Sequence, residues 1–194
     1  MTAPEGPPQS RRPAQRADAE LNRSRILDAA RAGLAESGDA SMQSIAKRAG
    51  IGQGTLYRHF PTRELLVLEV HRRDVADLVQ AAPALLAEHP PYEALRLWLD
   101  RLAVYGQIKR GLAGAFHTAT HKQLAGEGYG PVIGAITMLL DACKRAGTVR
   151  KDVEAEELLL LVGFLWRIET DDSWAARTAR LLDIVMQGLP PRTG

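Results

Sequence analysis

Apolar residues recur every three to four positions along most of the chain, and strict alternation never persists. The pattern therefore predicts an all-α protein. Ile26, Leu27, Ala30 and Leu34 form the first stripe, on a helix from about Ala19 to Glu36 that Ser37-Gly38-Asp39 closes. Met42, Ile45, Ala46 and Ala49 predict a short second helix, with Ser41 as N-cap and Gly50 as the terminator. Ile51 and Gly52 turn the chain, and Gln53 opens a third helix with Leu56 and Phe60 four apart on one face. Pro61 stops it. Thr62 caps a fourth helix, expected to end near Ala82 before Pro83, with Leu68, Val75, Leu78 and Val79 inward.

After the break at Glu88–Pro91, a fifth helix to about Gly111 places Leu95, Trp98, Leu99, Leu102 and Tyr105 on one stripe. A sixth is expected over about Leu112 to Leu124, then a loop at Gly126–Pro131. A seventh follows over Val132–Ala146, with Ile133, Ile136, Leu140 and Cys143 sharing a face. The last two helices differ in character. Asp152 is a candidate cap for one that runs into Leu158–Trp166, apolar on every side, so it must be covered on more than one side. The final helix, about Ser173 to Gly188, repeats Ala175, Thr178, Leu181, Leu182, Val185 and Leu189. A second copy of the chain supplies the missing cover, and both helices are expected to pair with their symmetry mates in a homodimer.

The second and third helices with their glycine turn form a helix-turn-helix, which sets its second helix into the DNA major groove. The outward residues suit that role. Gln43 and Gln53 can pair with base edges, and Thr55 offers a methyl and a hydroxyl. Ser41, Tyr57, Arg58, His59 and Arg63 can donate to phosphates, while Gly54 lets backbone approach the duplex closely. The run A-G-I-G-Q-G-T-L-Y-R-H-F-P-T-R-E-L-L resembles the signature of the TetR family of transcriptional regulators. The resemblance implies an all-helical homodimer on palindromic DNA, with a small-molecule pocket and most of the dimer interface in its C-terminal part. Carried over by position, it makes Gln43, Gln53, Gly54, Thr55 and Tyr57 base or groove contacts. It makes Ser41, Tyr57, His59 and Arg63 phosphate contacts. Gly52 departs from the pattern: it stands where the family commonly has a capping serine. The run Y-G-Q-I-K-R-G-L-A-G-A-F is similar to a C-terminal subgroup termed SbtR-like.

Charge sharpens this picture. The net charge of +2 is unremarkable, but residues 1–73 carry 12 Lys/Arg against 8 Asp/Glu, whereas residues 74–194 carry 13 against 15. The basic half holds the helix-turn-helix. Residues 1–18, with four prolines and little to bury, are expected to be a disordered basic arm that either tracks DNA or is a solvated tail. Residues 19–66 are then the DNA-binding domain, and 67–194 the effector-binding and dimerisation domain.

The lone Cys143 excludes an intrachain disulfide and reads as a small core residue. The first twenty residues lack the apolar core of a signal peptide, and Leu158–Trp166 is too short to span a bilayer, so a cytoplasmic protein without membrane contact is expected. Trp98, Tyr105, Phe116, His117 and Trp166 are the candidate pocket residues, with Gln107, Thr118, Thr120 and Gln123 as polar groups. His117 and His121 lie four apart, but two ligands without a third give no metal site, and no cofactor is expected. No nucleophile–base pair, phosphate loop or metal cluster points to an enzyme. The expected function is a regulator, most readily a repressor released from DNA by a small molecule. A constitutive or architectural DNA binder is the alternative.

Overall fold

The computed structural model describes residues 11–37, 40–113, 118–169 and 171–191, the side chains of 11–17, 37, 107–113 and 118–127 excepted. Among these residues the chain is helical throughout, without strands. The helices are α1 (Arg11–Ser37), α2 (Met42–Ala49), α3 (Gln53–His59), α4 (Arg63–Glu88), α5 (Pro91–Ala113), α6 (Thr118–Arg145), α7 (Ala155–Leu161) and α8 (Trp174–Gln187). A 3₁₀ turn, Val162–Trp166, extends α7.

Two hydrophobic cores meet along α4. The N-terminal core packs Ile26, Ala30 and Leu34 of α1 on Ile45, Leu56 and Phe60, and takes Leu66, Val67 and Val70 from the first turns of α4. The larger core starts at Val75 and Leu78 and continues through α5, α6, α7 and α8. The early inward face of α4 is therefore Leu66, Val67 and Val70, and Leu68 is only half-buried. One continuous helix belongs to both cores, so a rotation of α4 is felt in each. The apolar stripe expected on α5 is buried along its whole length, from Leu95 to Tyr105.

Three boundaries differ from expectation for identifiable reasons. Residues 11–18, expected in a disordered arm, are helical and lengthen α1. Pro13 falls in the first turn, where its missing N–H would have had no helical partner. The fourth helix does not stop at Pro83 but runs on to Glu88, because Leu85 beyond it is buried in the larger core. The loop expected at Gly126–Pro131 is absent: α6 passes straight through it. Gly128 there is a close-approach residue, since a Cβ would lie 3.3 Å from Val75 and 3.5 Å from the His71 ring. Burial of Val132, Ile136 and Leu139 further along outweighs the local propensity of glycine and proline.

The end of the chain also shifts. Glu154, not Asp152, caps α7, exchanging bonds with Glu157 in a capping box. On α8, Thr178, Leu182, Val185 and Leu189 turn into the chain's own core rather than outward. α8 is held to α5 by the Tyr92 hydroxyl, which donates to the Met186 carbonyl at 2.7 Å, and by Arg96, which bonds Asp183 at 3.1 Å. On α7 and α8, Leu160, Leu161 and Ile184 are left outside, 83%, 56% and 65% exposed. No helix among the described residues is long and apolar enough to cross a membrane.

Candidate nucleic-acid interface

The reading unit is built from short helices with firm ends. The Ser41 hydroxyl oxygen accepts the Ser44 N–H at 3.1 Å and caps α2, leaving its own proton to be donated. Gly50 ends α2 at φ 67°, in the left-handed region, and returns its N–H to the Ala46 and Lys47 carbonyls. Gly52 precedes α3 without a side-chain cap. Its carbonyl instead accepts Thr55 N–H at 3.0 Å and Leu56 N–H at 3.2 Å, so the helix starts on backbone bonds alone. Thr62 Oγ1 caps α4 through the Leu65 N–H at 3.3 Å.

Burial separates the two faces of α3. Leu56 is fully buried and Phe60 nearly so, which fixes the helix on α1, α2 and the start of α4. Gln53, Gly54, Tyr57 and Arg58 are exposed, and Thr55 and His59 half-buried. Gln43 is exposed on α2. Tyr57, 48% exposed, is a large aromatic with no core role. Arg58 lies back along its own helix, Nε donating to the Gly54 carbonyl at 3.2 Å. Arg63 is half-buried, with Nε donating to the Ala40 carbonyl at 3.3 Å, so it braces the start of α4 against the entry to α2. Of the eight candidates, Ser41, Gln43, Gln53, Gly54 and Tyr57 are exposed and Thr55, His59 and Arg63 half-buried, with Arg63 also structural.

Arg23, Arg31 and Arg48 are committed elsewhere. From the sequence, Arg23, Arg25 and Arg31 are free to lie near the DNA backbone, a surface charge being the simpler account for Arg31. In the structure Arg23 bonds Glu69 at 2.7 Å and stacks over the Phe60 ring at 4.8 Å, tying α1 to α4. Arg31 Nε donates to Asp74 Oδ1 at 2.6 Å. Arg25 is exposed. Arg48 forks onto Glu36, and that hydrogen bond holds the Glu36 carboxyl below the usual carboxylate range.

Sequence reading did not find the buried polar seam behind this unit. Asp74 and His71, one turn apart on α4, are both buried among apolar residues. Asp74 meets α1 through Arg31, and His71 Nδ1 shares a hydrogen bond with the Tyr105 hydroxyl of α5 at 3.3 Å. Burial pushes the Tyr105 hydroxyl well above its ordinary pKa. A polar stripe of i, i+3 spacing inside an apolar helix was the available signal, but it reads equally well as surface.

The candidate pocket residues fare unequally. Trp98 is fully buried, and its indole N–H donates to the Leu78 carbonyl at 2.8 Å. Tyr105 lines a cleft between α1, α4 and α5. Trp166 is half-buried against Gly106, and its indole N–H is buried without an acceptor. Phe116 and His117 lie outside the described residues, as do the side chains of Gln107, Thr118, Thr120, His121 and Gln123. No group of three or more potential metal ligands occurs among the described residues.

Known proteins place this architecture. Residues 26–70 match the bacterial regulatory proteins of the tetR family, and residues 90–191 match the C-terminal domain of SbtR-like transcriptional regulators. A TetR transcriptional regulator from Streptomyces coelicolor has 38% identity and a TM-score of 0.79, over 88% of this chain and 99% of that one. A TetR regulatory protein from Mycobacterium vanbaalenii has 32% identity and a TM-score of 0.73, over 91% and 99%. An HTH-type transcriptional regulator of Staphylococcus aureus is 34% identical over 110 residues, 55% of this chain and 60% of that protein. Another from the same species is 39% identical over 90 residues, 45% and 49%. The chain thus spans about half to three-fifths of the length of the curated relatives it matches.

Proposed function

Because this chain belongs to the TetR family of DNA-binding transcriptional regulators, and is not an enzyme, we propose that it is a homodimeric repressor, released from a palindromic operator by a small molecule. The observation that carries the DNA-reading part is the face of α3. Its inner residues, Leu56 and Phe60, hold it rigidly, while Gln53, Gly54 and Tyr57 stand in solvent with no structural task. Gln53 sits at the N-terminus of α3, the end that reaches base edges, and its amide can pair bidentately with adenine. Gln43 and Thr55 flank it. Ser41, Tyr57, His59 and Arg63 reach phosphates on either side.

The dimer is proposed from the exposed Leu160, Leu161 and Ile184. They project from α7 and α8, next to a groove of about 260 Å³ between these two helices. Pairing each patch with its mate across a two-fold axis covers it and sets two copies of α3 about 34 Å apart, one turn of DNA. The effector reading is supported by the buried, acceptor-less indole N–H of Trp166 and by α4, which belongs to both cores. An effector weakens DNA binding only by preferring the conformation that DNA does not.

Gln53→Ala tests the reading helix. It should cost about 1–3 kcal/mol on the preferred site and relax base choice at one position of each half-site. Competition binding against single-base variants of that site measures both. Equal losses on preferred and random DNA would remove Gln53 from base reading.

A further inference from the structure

A cleft of about 320 Å³ opens between α1, α4 and α5, at the junction of the DNA-reading unit and the rest of the chain. On its floor lies Asp74, whose side chain is only 3% exposed. Oδ1 accepts from Arg31, but Oδ2 is buried with no hydrogen-bond partner. A carboxylate oxygen can only accept, so the vacant position calls for a donor. Asp77 and Asp100 add two more carboxylates to the lining, against the guanidinium groups of Arg31 and Arg101. Arg31 is already matched by Asp74, and Asp100 by Arg96 on its own helix. Leu78, Val104 and the Tyr105 ring supply an apolar wall.

From this geometry we infer that the cleft binds a primary alkylammonium ion, its N–H groups on Asp74 Oδ2 with Asp77 nearby and its alkyl chain against Leu78, Val104 and Tyr105. The volume reaches the range of small-molecule sites. A charged donor answers a buried carboxylate whose one cationic partner is half in water: Arg31 is 51% exposed. Burial disfavours the charged form of the Asp74 carboxyl despite Arg31 and pushes its pKa up, so a cation beside Oδ2 supplies compensation that burial takes away. An anion would meet an oxygen that cannot donate. A neutral alcohol would fill the hydrogen bond and leave the charge unanswered.

Occupancy bears on regulation, because an ammonium on Asp74 Oδ2 draws on the same carboxylate that holds Arg31, one of the ties between α1 and α4. That consequence rests on the reading of the chain as a ligand-released repressor; the binding itself does not. Calorimetric titration of the full chain with hexylammonium chloride tests the site, alongside hexyltrimethylammonium, 1-hexanol and hexanoate. Saturable binding is expected for hexylammonium. Hexyltrimethylammonium, which keeps the charge but has no N–H, should bind roughly tenfold more weakly or worse. The alcohol and the acid should not saturate. Asp74→Asn should weaken hexylammonium binding at least about tenfold. Val104→Arg, at a position 44% exposed, offers the carboxylates a tethered cation without disturbing the core and should abolish it. Absence of saturable binding to the wild-type protein at millimolar hexylammonium overturns the proposal. So does equal binding of 1-hexanol, or unchanged binding by Val104→Arg. Titration of a DNA complex separates the two readings. Release of DNA supports the coupling, whereas saturable binding with unchanged DNA affinity upholds the site and overturns its regulatory role.

Discussion

Replacing Leu160 and Ile184 together by glutamate should give a folded monomer that has lost most of its affinity for a two-half-site operator. Both residues are large, apolar and mostly in solvent, at 83% and 65% exposure, and Leu161 beside them is 56% exposed. Fully covering one such side chain contributes about 1.5–3 kcal/mol, and an isologous interface counts each residue twice. The double substitution removes that gain and asks four carboxylates to leave water, which the dimer cannot offset. Within one chain the cost is small, since neither side chain belongs to either core. The monomer keeps its reading helix but engages one half-site at a time. Losing the second, tethered contact reduces affinity by about 10²- to 10⁴-fold. Sedimentation and operator binding on the same sample check this, with circular dichroism as the folding control. A variant that remains dimeric would place the interface elsewhere.

Trp98→Ala should destabilise the protein by about 3–5 kcal/mol, the usual cost of emptying a buried aromatic site. For a chain of this size that is a fall in Tm of roughly 6–20 °C. Trp98 is fully buried between α4 and the remaining helices, and its indole N–H satisfies the Leu78 carbonyl at 2.8 Å. Truncation therefore opens a cavity and removes a buried hydrogen bond. Trp98→Phe should fall between, because the ring volume is mostly kept while the buried bond to the Leu78 carbonyl is lost. Thermal melts of the three proteins test the ordering. A Trp98→Ala protein as stable as wild type would return Trp98 to the lining of an accessible space, as its sequence context suggests.

That case shows what a sequence does and does not carry. The reading unit is legible because its signals are local: Ser41 as a cap, Gly50 in the left-handed region, Leu56 and Phe60 four apart, Thr62 as the next cap. Each acts within one helical turn, and the structure has all of them. The misplaced boundaries at residues 11–18, Pro83 and Gly126–Pro131 are those where tertiary packing or position in the helix outweighs a breaker residue. Gly128 reads as a loop residue, yet its lack of a side chain is what lets α6 lie against Val75 and His71. The Arg31–Asp74 and His71–Tyr105 pairs join residues 43 and 34 positions apart. No spacing rule links them, so Arg31 reads as a surface charge and Asp74 passes unnoticed. The stripe Thr178, Leu182, Val185 and Leu189, expected to face a second subunit, faces the chain's own core, and Ile184 is the apolar side chain left exposed on α8. Periodicity alone marks a stripe without saying which core the stripe faces.

In the proposed dimer, two copies of α3, fixed by a two-fold axis through α7 and α8, read an inverted repeat. Selection of bound sequences from random duplex DNA by the purified protein tests it most directly. A palindrome whose half-sites are centred about 10 base pairs apart, or a multiple of that spacing, should be enriched. Enrichment of a single asymmetric half-site, or of no sequence at all, would contradict it.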